Sequence, residues 1–121
     1  MKHAFSPGQL AECAEREVTM REKVYPRLVD ARKMSQKTAD REIAMMRAIR
    51  HEYVEGVSSG EFDDEKLADC ARREIKSREK IYRRQVAERR MAPETARREL
   101  EMMRQIESDY RERCSVQKEL F

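Results

Sequence analysis

The sequence predicts an all-α protein: two tandem antiparallel helical hairpins, packed as a four-helix bundle. Three observations carry that prediction. Residues 10–53 recur as residues 67–110 at a constant offset of 57 with no gap. Extended back to the pair Phe5/Phe62, 24 of 49 aligned positions are identical, so one structural unit stands twice in tandem. Apolar residues recur at three-four spacing along each long segment, which is the helical period. The glycines and prolines gather near segment boundaries (Pro7, Gly8, Gly56, Gly60, Pro93), with Pro26 the exception. Absence of Trp and scarcity of β-branched runs argue against a sheet. A charged fraction of 42% alone would suggest disorder, but the regular apolar spacing and the paired caps outweigh it. The expected organisation is a first hairpin at 5–56, a linker at 57–61 and a second hairpin at 62–114.

The first helix opens on a dense start signal. Ser6 caps, Pro7 suits the first helical position, Gln9 completes a capping box, and Phe5 stands where a hydrophobic staple would meet Leu10. The second copy keeps the device with other residues: Asp63 caps, Asp64 and Glu65 favour the positive helix end, and Phe62 pairs with Leu67. First helices therefore begin near residues 7 and 64. From Leu10 to about Lys33 the stripe runs Ala11, Ala14, Val18, Tyr25, Val29, with a second apolar flank of Leu10, Cys13, Val24 and Leu28. Two flanks imply two neighbours. Pro26 removes a helical hydrogen bond, which predicts a kink near Tyr25-Pro26 in the first copy only, since Arg83 stands there in the second.

The break falls at Arg32-Lys33-Met34-Ser35, with Ser35 capping the next helix and Pro93 marking the equivalent start. So short a connection forces an antiparallel αα-hairpin. The second helix offers Ala39, Ile43, Met46, Ile49 and Tyr53 to the core, matched by Ala96, Leu100, Met103, Ile106 and Tyr110. Residues 57–61 read as the linker, and the last helix is expected to fray after Cys114. One such hairpin is marginal alone. Two copies cover each other in a monomeric four-helix bundle, or each docks on a second chain as a homodimer.

Charges interrupt the inner stripe. Arg21 and Glu22 fall between Val18 and Tyr25, Arg78 and Glu79 repeat them, and Glu42 and Glu99 lie on the inner face of the second helix. In an antiparallel hairpin turning near residues 34–35, partner numbers sum to roughly 69. Glu22 is then level with Arg47, Glu79 with Arg104, and Glu42 approaches Tyr25 and Arg21. These are expected to be interhelical pairs that fix register, because half-buried charges need partners. The competing chemistry is a carboxylate acid-base pair or a glutamate metal site in a bundle. No Glu-x-x-His accompanies the glutamates, and His3 and His51 are unrelated in the repeat. With no nucleophile-base-acid set and no Gly-rich phosphate loop either, no catalytic residue, metal or cofactor is expected.

Totals limit the partners. Lys plus Arg is 27 against 24 for Asp plus Glu, and neither half is strongly acidic or basic, so no charged tail signals nucleic acid or membrane. No apolar run reaches the roughly 20 residues of a membrane span, and MKHAFSPGQL has no apolar signal-peptide core. A cytoplasmic protein is expected. Cys13 and Cys70 occupy one repeat position and Cys114 stands alone. That arrangement predicts small semi-buried hydrophobes rather than disulfides or a zinc site.

The outer face holds the candidate binding surface. Arg16, Lys23 and Arg27 project away from the stripe and recur unchanged as Arg73, Lys80 and Arg84. Surface positions without a role drift faster than packed ones after duplication. Arg83, Arg89 and Arg90 enrich the second tip further. Such groups suit phosphates on a duplex or an acidic protein; Glu88, Glu94 and Glu99 are interleaved and no aromatic platform accompanies them. In the pairs Met45-Met46 and Met102-Met103, the second Met is expected in the core and the first on the flank, packing rather than lining a groove.

One run resembles a known family. It comprises Arg21-Glu22-Lys23-Val24-Tyr25-Pro26-Arg27-Leu28-Val29, then Met34-Ser35, Ala39-Asp40-Arg41-Glu42-Ile43-Ala44 and Met46-Arg47-Ala48-Ile49. The pattern is similar to that of small proteins encoded by bacteriophages and prophages, typically a single helical hairpin of unassigned function. It covers most of the first copy; the second departs at Arg83 and Arg97. The resemblance implies a phage or prophage origin and the cytoplasm of a bacterial host. The expectation is a non-enzymatic protein that binds a host or phage protein and inhibits or modulates a host system. The alternative is a nucleic-acid-binding accessory protein using the basic outer faces.

Overall fold

The structure, a computed structural model, describes residues 5–120, with side chains described as far as Val116. Among the described residues there are four helices and no strand: α1 (Pro7–Asp30), α2 (Gln36–Glu55), α3 (Asp64–Ala87) and α4 (Pro93–Leu120). α1 packs on α2 and α3 on α4. The chain divides into two compact units, one of residues 6–62 and the other of residues 63 onward together with Phe5. The linker residues 57–61 thus belong to the first unit.

Local chemistry sets the helix ends. Ser6 Oγ accepts from Gln9 N–H at 3.2 Å, and the Gln9 side chain accepts from Ser6 N–H at 2.9 Å, closing a capping box ahead of Pro7. Ser35 Oγ accepts from Thr38 N–H at 3.0 Å, and Asp63 accepts from Lys66 N–H at 2.8 Å. Each cap satisfies a backbone donor that the helix cannot, worth about 1 kcal/mol. α1 runs unbroken through Pro26 and, at 24 residues, is as long as α3. Pro26 is exposed and close to the C-terminal end, so water can hydrate the carbonyl that its ring leaves without a donor.

Both hairpin turns have the same construction. Lys33 N–H donates to Leu28 O at 2.8 Å and Arg32 N–H to Val29 O at 3.0 Å; Arg90 N–H donates to Gln85 O at 2.8 Å and Arg89 N–H to Val86 O at 3.0 Å. These are paired Schellman bonds. They place Arg32 at φ 59° and Arg89 at φ 60°, in the left-handed region that glycine usually fills. α2 ends on Gly56, left-handed at φ 79°. The equivalent residue is Arg113, inside a 28-residue α4 that continues to Leu120. The expected fraying after Cys114 is thereby corrected: no glycine or proline follows Pro93 to stop the helix.

The core is densest toward the open ends of the hairpins. Leu10, Ala14, Val18, Met46 and Ile49 are buried in the first, and Leu67, Ala71, Ile75, Met103, Ile106 and Tyr110 in the second. Nearer the tips, Tyr25, Val29, Ile43, Tyr82, Val86 and Leu100 are only half-buried. Cys13 and Cys70 are fully buried, beyond the semi-buried expectation, and all three cysteines are free thiols. Met45 and Met102, expected on the flank, are as buried as Met46 and Met103. None of the four offers an adaptable surface.

Two further expectations change. Phe5, expected to staple onto its own helix, is clasped by Gln105 on α4. Phe5 N–H donates to Gln105 Oε1 and Gln105 Nε2 donates to Phe5 O, both at 3.3 Å, while Arg98 stands 5.7 Å over the ring. A side-chain amide presents the donor and acceptor that match a backbone C=O and N–H, and the first copy has Ala48 there. Glu22 and Glu79 are not inner charges. Both carboxylates lie at the solvent rim of the helix pair, with side chains 47% and 42% exposed. Of the neighbours Arg21 and Glu22 the inward one is Arg21, about 100° away around the helix.

Candidate interaction surface

The ionic groups sort into a seam between paired helices and a face that points away from it. On the seam, Arg47 pairs with Glu22, and Arg104 with Glu79 at 3.1 Å. Arg21 is 1% exposed; its Nη1 donates to the Glu42 backbone carbonyl at 2.6 Å and lies 4.0 Å from Glu42 Oε1. The guanidinium also stands 5.7 Å over Tyr25. Arg78 keeps the cation–π contact with Tyr82 at 6.0 Å and pairs along its own helix with Glu74.

A second seam pair is absent from the sequence-based expectations. Arg50 pairs with Glu15 in the first hairpin, and Arg72 with Glu107 at 3.7 Å in the second. Residue 15 aligns with 72 and residue 50 with 107, so the pair is retained with its charges exchanged. That reciprocal exchange at the 57-residue offset was the available signal. The second hairpin adds Arg111, which reaches Asp69 at 2.9 Å and Glu107 at 3.2 Å. The hydrogen bond to Asp69, with help from Glu107, raises the Arg111 pKa and keeps it charged.

The candidate binding residues Arg16, Lys23, Arg27, Arg73, Lys80, Arg83, Arg84, Arg89 and Arg90 are all exposed. On α1, Arg16, Lys23 and Arg27 fall within about 40° of one another and span about 16 Å of helix axis. Arg73, Lys80 and Arg84 repeat that stripe on α3. Arg90 pairs with Glu88 at 3.2 Å; Lys23, Arg27, Lys80 and Arg84 form no ion pair with another described residue. Positions exposed in both copies and identical between them are few: Arg16/Arg73, Lys23/Lys80, Arg27/Arg84, Arg32/Arg89, Thr38/Thr95, Arg41/Arg98 and the seam pair Arg47/Arg104. All but the threonine are basic. Arg32 and Arg41 join the set only once exposure is known.

Other chemistry is thin. A crevice of about 310 Å³ in the first hairpin is lined by Glu15, Arg47, Arg50, His51, Ser59 and Glu61. Its arginines are engaged with Glu22 and Glu15, and the Ser59 hydroxyl accepts from Glu61 N–H at 3.4 Å. Among the described residues no three His, Cys, Asp or Glu side chains cluster as metal ligands, and no helix is long and apolar enough to cross a membrane. His3 lies outside the described residues. No protein-family model, curated protein or solved structure matches the chain. The functional reading therefore comes from its own surface.

Proposed function

We propose that the chain is a non-enzymatic interaction protein of phage or prophage type. It acts in the bacterial cytoplasm, binds a host or phage protein through its basic outer helix faces, and thereby modulates a host system. One observation carries the reading: exposed positions shared by the two copies are almost all basic, and the shared acidic pair at the surface, Glu22/Glu79, is committed to Arg47 and Arg104 on the seam. Seam charges explain Arg47 and Arg104, and packing explains the inner identities. Arg16 and Arg73 also have partners within the chain, but Lys23, Arg27, Lys80 and Arg84 need another reason, and a negatively charged partner supplies one.

Affinity capture from a bacterial lysate tests the reading. The unaltered chain should retain one stoichiometric protein at low salt. The variant Arg16→Gln/Lys23→Gln/Arg27→Gln/Arg73→Gln/Lys80→Gln/Arg84→Gln should not. Equal recovery by both, or no stoichiometric protein with either, removes the proposal. A nucleic-acid partner is the second reading, favoured by the regular seven- and four-residue spacing of cations along each stripe. Duplex binding that weakens steeply with salt supports it, and absence of binding at low salt eliminates it.

A further inference from the structure

We infer that the chain is bivalent: each hairpin carries its own complete basic docking stripe, anchored at the tip by a left-handed arginine, and each stripe takes one acidic protein segment. This rests on the docking face proposed above, and adds its stoichiometry, the chemistry of its occupant and a tip residue.

The stripe Arg16-Lys23-Arg27 is followed five residues later by Arg32, and Arg73-Lys80-Arg84 is followed by Arg89. All eight side chains are exposed. The two tip arginines share an unusual backbone, φ 59° and φ 60°, at the position where a Schellman turn favours glycine. Nothing in the turn requires a guanidinium, because its hydrogen bonds are backbone to backbone. An unfavourable conformation kept with the same cationic side chain in both copies points to use of that side chain.

Divergence elsewhere sharpens the contrast. Exposed neighbours changed sign freely, as in Lys37/Glu94 and Asp40/Arg97. The seam pair Glu15–Arg50 exchanged its charges outright. The stripe did neither, in either copy. Charge complementarity selects an acidic occupant. The stripe residues carry no stacking aromatic between them, since Tyr25 and Tyr82 are half-buried under Arg21 and Arg78. An acidic protein segment therefore fits better than bases on a single strand.

Titration calorimetry of the whole chain with a synthetic helical peptide, bearing glutamates at the same seven- and four-residue spacing, is the test. Two equivalent sites per chain are expected at low salt, weakening as salt is added. Arg16→Gln/Lys23→Gln/Arg27→Gln should leave one site of unchanged affinity, Arg73→Gln/Lys80→Gln/Arg84→Gln the other, and all six none. Glutamine keeps the helix propensity and much of the stem, so the variants should stay folded, which thermal melts check. Arg32→Gly should lower affinity at one of the two sites by about two- to five-fold, and Arg89→Gly at the other. A single site per chain, lost in either triple variant, overturns bivalence and leaves the docking face standing. Binding that survives all six substitutions, or no salt-dependent binding by the unaltered chain, overturns the docking face itself. Displacement of the peptide by duplex DNA at equal charge concentration overturns the acidic protein segment as occupant.

Discussion

Arg32→Gly should make the first hairpin more stable, and Arg89→Gly the second. At φ 59° and 60° the Cβ of an L-residue crowds its carbonyl neighbour, at about 1–2 kcal/mol. Glycine removes that crowding but loses about 0.5–1 kcal/mol more chain entropy on folding. The backbone bonds from Lys33 to Leu28 and from Arg32 to Val29 survive, since no side chain makes them. The difference is a gain of about 0.5–1 kcal/mol per site. For a chain of 121 residues, unfolding entropy near 0.25 kcal/mol/K converts 1 kcal/mol into about 4 °C. Urea and thermal unfolding, followed by far-ultraviolet circular dichroism, measure it. Arg32→Ala is the control, because it removes the guanidinium and keeps the backbone strain; it should fall within about 0.5 kcal/mol of the unaltered chain. If glycine were no better than alanine, the turn would not be strained. If alanine cost more than about 1 kcal/mol, Arg32 would be holding the fold together, and its case as a binding residue would collapse.

Three other outcomes follow from the same geometry. Arg21→Ala should cost about 3 kcal/mol in urea unfolding, since it removes a buried charge and its bond to the Glu42 carbonyl, and Arg21→Met should cost less by keeping the volume; a loss under about 0.5 kcal/mol would mean that the buried guanidinium contributes little. Arg47→Glu should cost about 0.5–1 kcal/mol and Glu22→Arg added to it should restore most of the loss, as befits a rim pair; additive losses in the double-mutant cycle would dismiss the pairing. Pro26→Arg copies the second hairpin and should raise stability by about 1–3 kcal/mol, and an unchanged melting temperature would show that the end of α1 tolerates proline without cost.

Much of the fold is legible in the chain because its boundaries are written in local chemistry. Ser6, Ser35, Asp63 and Pro93 mark helix starts within a residue, and a turn this short leaves antiparallel pairing as the sole option. The stripes of α1 and α3 were equally accessible, because the apolar stripe at three-four spacing defines its own outside, whereas Arg32 and Arg41 were not. What escaped depends on single-residue rotation or on distant partners. Arg21 and Glu22 are neighbours, yet about 100° of helix rotation separates a buried charge from a rim charge. Phe5 finds Gln105 a hundred positions away, which no local pattern announces. The left-handed arginines escaped for a different reason: propensity points to glycine there, so a turn built on arginine is invisible until its dihedral angles are known.

The exchanged charges of the Glu15–Arg50 and Arg72–Glu107 pairs have a consequence for assembly. Duplicated hairpins with near-identical inner faces are liable to mispair during folding, α1 with α4 and α3 with α2. The Glu22–Arg47 and Glu79–Arg104 pairs cannot prevent it, since either partner fits either copy. In the wrong combination, however, Glu15 would face Glu107 and Arg72 would face Arg50. With about 0.5 kcal/mol lost and about 0.5 kcal/mol of repulsion gained at each of two positions, mispairing is disfavoured by about 2 kcal/mol, or about thirty-fold. The double exchange Glu15→Arg/Arg50→Glu keeps the first hairpin's own pair but makes the two rims alike. It should leave equilibrium stability nearly unchanged while adding a slow, mispaired fraction to refolding; single-phase refolding at full amplitude would show that the rim charges do not sort the helices. The inversion thus works as a parity mark, telling each helix which of two look-alike partners is its own.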